Sequence, residues 1–274
     1  MPQPYRDDSF DSGPRIGLPG VTPVVQSILW TNVVIGVLFL FLGGNATFAK
    51  IHEVLALDID AWREHFPLVP VWQLATFGFL HSTGDPMHLV MNMIGLYFLG
   101  TMLEGILGSR RFAVLYGAGV LVPAVLQLAV ALSFDQHLLV VGASGAVLAL
   151  VVALATMRPH ALFYLLLAPV KLWVIAVVYV MLDLFGLVRG GGDAAHVVHL
   201  GGAALGFAAV KLHWVWYDPF AALEARREAK VRENAQDDAQ RLDELLARIH
   251  RDGIGSLSER EKAFLKRMSS RRDG

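Results

Sequence analysis

The sequence predicts an all-α membrane protein, a six-transmembrane-helix bundle with a short cytosolic C-terminal helical extension. Three observations predict it. Of the 274 residues, 55% are hydrophobic and only 17% are charged, against roughly 25% charged in an ordinary soluble domain. Polar residues are segregated, crowding the first two dozen positions and everything after Tyr217. Between them lie apolar runs near the ~20 residues a helix needs to cross a bilayer: Val24 to Leu42, Met87 to Leu103, Phe112 to Ser133, Val140 to Met157, Leu172 to Val188 and Ala194 to Trp214. The expected organisation is a cytosolic N-terminal tail over 1–23, a six-span membrane domain over 24–217 and a cytosolic helical tail over 218–274.

The net charge of −1 argues against a nucleic-acid partner, and the absence of cysteine excludes disulfides, thiolate nucleophiles and cysteine-ligated metals. The polar, Gly- and Pro-containing opening has neither the basic start nor the apolar run and cleavage site of a secretory signal, nor an organelle-type presequence. This points to a bacterial cytoplasmic membrane. Orientation follows from Lys and Arg in the loops. Arg6, Arg15, Arg110, Arg111, Arg158, Lys171 and the basic tail fall on one side, Lys50, Arg63 and Arg189 on the other, so both termini are expected in the cytoplasm.

Between the first two spans, Ile51, Leu55, Ile59, Trp62 and Phe66 recur at roughly helical spacing within Asn45 to Asp85, predicting an amphipathic segment in the outer interface; a soluble external loop is the alternative. Trp214, Trp216 and Tyr217 fit an aromatic belt at the inner headgroups. Beyond Asp218-Pro219, Leu242, Leu245, Leu246 and Ile249 form the stripe of an amphipathic helix, which Gly253 and Gly255 break. Ser256 with Glu259 suits a capping box for a second helix carrying Phe264 and Leu265.

Polar side chains inside a bilayer are costly, so a convergent set of them marks a functional site. With a cytoplasmic start, the second, fourth and sixth spans run from outside to inside, and His88, Asn92, Ser144 and His199 all fall in the outer third. A serine hydroxyl becomes a nucleophile when a base takes its proton, which assigns Ser144 and His199 to catalysis. Gly202 and Gly206 form a small-xxx-small pattern that permits backbone-to-backbone packing, and Gly142 and Gly145 flank Ser144 as its small-residue turn. His88 and Asn92, at i and i+4 on one face, can aim donors at an oxyanion, with the Ser144 N–H at a helix N-terminus as a third. Asp183 could orient a histidine or fix a loop. His196 shares a face with His199, which opens a two-histidine metal site, and His81, His88, His196 and His199 together would suit a metal transporter. His81 is expected to brace the outer loop, and Glu104, with Arg110 or Arg111, to anchor the inner ends of the second and third spans.

Taken together, Trp72-Gln73, Phe79-Leu80-His81, His88-x-x-x-Asn92, Glu104 with Gly108, Gly142-x-Ser144-Gly145 and His199-x-x-Gly202-x-x-x-Gly206 resemble the rhomboid family of intramembrane serine proteases, in the expected order over about residues 25 to 215. The resemblance implies a six-helix bundle with a Ser144–His199 dyad rather than a triad, an oxyanion hole using His88 and Asn92, and cleavage in or near the transmembrane segments of membrane-protein substrates. It implies no cofactor and no metal. The partners it implies are those substrates and the lipid bilayer, with the partner of the cytosolic tail unspecified. The sequence departs from the family at Gln73, often Arg, at Leu148, often aromatic, and at Val152, commonly Gly. A rhomboid-like pseudoprotease, binding transmembrane segments without cleavage, is the alternative reading.

Overall fold

Several helix starts in this chain are set by the side chains just before them. The computed structural model describes residues 20–165, 168–189, 195–218 and 220–270, and its contacts divide the chain into two units that meet between Tyr217 and Asp218. The first unit opens with α1 (Pro23–Leu42) and α2 (Ala46–Leu55), the latter capped by Asn45, whose carbonyl accepts from the Thr47 N–H at 2.9 Å. A two-residue strand β1 (Leu57–Asp58) leads to α3 (Ile59–Glu64), capped by Asp58, and then to α4 (Gln73–Thr76). Asp85 caps α5 (Pro86–Gly95), accepting from the Met87 N–H at 3.0 Å, with Pro86 preset for the first turn.

A π-helical turn over Leu96–Gly100 joins α5 to α6 (Thr101–Leu107), and α7 (Ser109–Ser133) follows a glycine at positive φ, Gly108. Strand β2 (Leu139–Val140) then pairs antiparallel with β1, Leu57 opposite Val140. After it come α8 (Ser144–Met157), a hairpin of β3 (Leu162–Leu165) and β4 (Ala168–Lys171), α9 (Leu172–Val188) and α10 (Ala195–Lys211). Each apolar run is helical over most of its length; Val140 lies in β2 ahead of α8, and Ala194 lies outside the described residues. Among the described residues, three rods, Pro23–Leu42, Pro86–Leu107 and Ser109–Ser133, are by themselves long and apolar enough to cross a membrane, while α8 and α9 are shorter apolar helices.

The outer segment is not one amphipathic helix. It breaks at Ala56–Asp58 because β1 pairs there with β2, and the stripe splits accordingly: Ile59 is buried, whereas Ile51 and Phe66 face outward. Gln73 pins the segment even though it is not an arginine. Its side-chain carbonyl accepts from the Asp58 N–H and the Trp62 indole N–H, both at 3.1 Å, and its amide donates to the Val54 carbonyl at 3.2 Å. Glu104 secures the opposite end of the bundle. Its carboxylate accepts from the otherwise unpaired Val24 and Val25 N–H groups of the α1 N-terminus at 3.1 and 2.9 Å and from the Ser109 hydroxyl at 2.6 Å, so it ties a third span to the two expected.

Helix α8 forms the middle of the core, with ten of its 14 residues buried. It packs against α7 and α10 by close backbone approach. A Cβ at Gly202 would run into the carbonyl of Gly145, one at Gly206 into the carbonyl of Ala149, and one at Gly119 would lie 2.9 Å from the Ala146 Cα. Val152 is buried in the same core without preventing these contacts.

The second unit is a helical hairpin of α11 (Ala221–Asp252) and α12 (Glu259–Ser270), joined where Gly253 takes φ of 77°. Leu245, Leu257 and Phe264 form its core with Leu242, Ile249, Leu265 and Met268 against them, while Leu246 points outward. The capping box lies at Ser258 and Glu261 rather than Ser256 and Glu259. Glu261 accepts from the Ser258 N–H at 2.8 Å and its own N–H donates to the Ser258 hydroxyl at 3.3 Å, whereas the Ser256 hydroxyl donates back to Gly253. The turn at Gly253 and burial of Leu257 delay the helix start by two residues.

Replacing Gly206 with Val drives a branched side chain into the α8 backbone. Gly206→Val is expected to cost about 1 to 3 kcal/mol and to lower the melting temperature in detergent, with Ala204→Val, on an exposed position of the same helix, melting like the wild type.

Candidate functional site

Ser144 is the first residue of α8. The loop before it is held on two sides, by the β1–β2 pairing and by the Gly142 N–H, which donates to the Phe77 carbonyl at 3.0 Å. Gly142 has φ of 128°, and a Cβ there would sit 2.8 Å from the His88 ring and 3.6 Å from the Ser144 Oγ. Glycine is required at 142 by both conformation and space. On the α10 side, Gly145 faces Val198, whose Cγ1 lies 2.6 Å from where a Cβ would stand.

His88 and Asn92 project from successive turns of α5. Asn92 is buried and its amide donates to the His88 carbonyl at 2.8 Å, leaving its second N–H for another acceptor. His81 meets the His88 ring edge to face, with centroids 5.2 Å apart, and the His81 carbonyl is within 3.2 Å of the His52 Nε2. The His81 backbone thus ties to α2 while its ring supports His88.

Ser144, His199, His88 and Asn92 all line one cavity of about 490 Å³. Its remaining wall is apolar, from residues such as Leu148, Val151 and Tyr179. The four side chains therefore converge from α5, α8 and α10. The Ser144 hydroxyl and the His199 Nε2 share this cavity without a hydrogen bond between them, and Nε2 is buried with no partner among the described residues. In serine hydrolases generally, the bond between nucleophile and base is often long before a substrate arrives.

The other ring nitrogen is engaged. His199 Nδ1 lies 2.9 Å from Asp183 Oδ1, and His196 Nδ1 lies 2.8 Å from the same oxygen. Asp183 thus holds two histidines. The sequence signal was there, a single carboxylate within the apolar α9, but its partner sits on another helix. His81 and His88 meet at α5 while His196 and His199 gather on Asp183, and no group of three or more such side chains poised to hold one metal ion is found among the described residues.

Comparison with known proteins gives a consistent picture. A model of the Rhomboid domain matches residues 70–215, and a model of a family of unknown function (DUF6576) matches residues 228–271. The chain is 33% identical over 147 residues, 48% of its length, to RHOMBOID-like protein 12, mitochondrial, of Arabidopsis thaliana, covering 43% of that protein. It is 29% identical over 133 residues, 47% of its length, to Presenilin-associated rhomboid-like protein A, mitochondrial, of Danio rerio, covering 33% of that protein. The chain thus spans less than half the length of these relatives. Both carry mitochondrial names, so they lend no support to a bacterial cytoplasmic membrane.

Burial holds the His81 pKa down at about 4, below its ordinary 6.5, with His88 adding to the effect. The unfolded chain therefore binds a proton that the folded chain refuses between these values, and stability is full above pH 6.5 and falls as pH drops toward 4. In detergent, the wild-type melting temperature is expected to fall over that range more steeply than that of His81→Gln; parallel curves would contradict the assignment.

Proposed function

The chain belongs to the rhomboid family, and on that premise we propose that it is an intramembrane serine endopeptidase that cleaves transmembrane segments of membrane proteins. The observation that carries the reading is the cavity that Ser144 shares with His199, whose Nε2 has no hydrogen-bond partner among the described residues. In the proposed reaction, Ser144 Oγ attacks a peptide carbonyl carbon as its proton passes to His199 Nε2. The new oxyanion is met by donors from His88, Asn92 and the Ser144 N–H. When the C–N bond breaks, His199 returns the proton to the leaving amine, and a water activated by the same Nε2 then hydrolyses the acyl-enzyme.

Six spans with both termini on the cytoplasmic side complete the proposal. The Lys and Arg distribution supports the orientation. The length of α8 supports the depth: its 14 residues rise about 21 Å, short of a hydrocarbon core of ~30 Å, so a helix ending at the inner face begins below the outer surface. Gly142, Gly145, Gly202 and Gly206 serve the site by removing bulk. Substrates need a locally unwound helix, because a hydrogen-bonded helix shields its carbonyls. The second unit is proposed as a cytosolic extension.

A fluorescent fluorophosphonate tests the reading without a known substrate. Wild-type protein in detergent is expected to label, Ser144→Ala to lose labelling entirely and His199→Ala to lose at least ~100-fold in rate. No wild-type labelling, beside an active rhomboid that labels in the same detergent, would favour a protein that binds transmembrane segments without cutting them.

A further inference from the structure

A carboxylate inside an apolar helix is costly unless its lone pairs are satisfied. Asp183, 6% exposed in α9, is satisfied by two imidazoles from α10. The backbone around it is shaped to admit them. His196 and His199 are three residues apart and share a face, and Gly186, one turn beyond Asp183, has no room for a side chain because the His196 ring occupies that space.

An ionised carboxylate only accepts hydrogen bonds, so each Nδ1 at 2.8 and 2.9 Å must be a donor. A neutral imidazole has a single N–H. With that proton on Nδ1, the His199 Nε2 is left as a bare acceptor, and Nε2 is the nitrogen without a partner in the cavity.

We infer that Asp183 is a positioning residue that fixes His199 in the Nδ1–H tautomer, with His196 steadying the shared carboxylate oxygen from the other side. The inference rests on the Ser144–His199 reading and adds a third member to the dyad. As the Ser144 proton moves to Nε2, the imidazole becomes an imidazolium. Asp183 stabilises that cation through the existing Nδ1–H bond and takes no proton itself. Without Asp183, the ring can turn or carry its proton on Nε2, where it cannot serve as the base. His196 plays no part in proton transfer.

The test uses full-length protein in detergent with ¹⁵N-labelled histidine, the His199 ring signals being identified by their loss in His199→Gln. Wild type is expected to show His199 as the Nδ1–H tautomer with that proton protected from exchange. Asp183→Asn, at unchanged helical circular dichroism, is expected to show the Nε2–H or a mixed tautomer and to label with fluorophosphonate about 100-fold more slowly or worse. An Nε2–H tautomer in the wild type would overturn the inference, as would an Asp183→Asn protein that keeps both the wild-type tautomer and labelling rate. If Asp183→Asn does not fold, the wild-type tautomer decides alone. A wild type that fails to label yet carries the protected Nδ1–H would remove the protease reading and leave the Asp183–His199 pairing standing.

Discussion

Everything at the candidate site depends on how closely α8 approaches α10. In a bilayer, helices gain no hydrophobic driving force from meeting each other, so association relies on packing and on polar contacts. Here Gly202 rests on the Gly145 carbonyl and Gly206 on that of Ala149. Ser144 is the residue before Gly145, and His199 is one turn before Gly202, so the same contact that joins the helices brings both side chains to one cavity. A bulkier residue at either glycine would separate them toward the ordinary 8–10 Å between axes.

The second constraint is on the loop before α8. The loop leading to Ser144 would otherwise be a short, irregular connection, but β1 pairs with it and the Phe77 carbonyl receives the Gly142 N–H. Gln73 fixes β1 and α3 in turn. The segment from α2 to α4 is thus a frame for the loop before Ser144, and movement of that frame would be felt at Ser144. Asp183 links α9 to α10 through the two histidines, so α9, which also lines the cavity, is coupled to the orientation of His199.

Part of this was legible in the sequence because the physics is local. Close approach needs glycine, and Gly145, Gly202 and Gly206 announce it; His88 and Asn92 share a face by spacing alone. The remainder depends on partners distant in the chain. Asp183 is visible as an unusual carboxylate, but nothing in its own helix reveals two imidazoles from α10. The outer stripe over Ile51 to Phe66 reads as one helix because the strand that interrupts it pairs with residues some eighty positions later. The β3–β4 hairpin lies where the sequence suggested only a connection between spans. The capping box was ambiguous in principle: Ser256 and Ser258 each have a Glu three residues on, and tertiary burial of Leu257 selects the second.

The most direct measurement is an experimental structure of the full-length protein after reaction with a fluorophosphonate. The account predicts phosphorus bonded to Ser144 Oγ, His199 Nε2 within about 3.2 Å of that oxygen, and the phosphoryl oxygen directed toward His88 and Asn92. An adduct on another residue, or a His199 ring turned away from a modified Ser144, would contradict it.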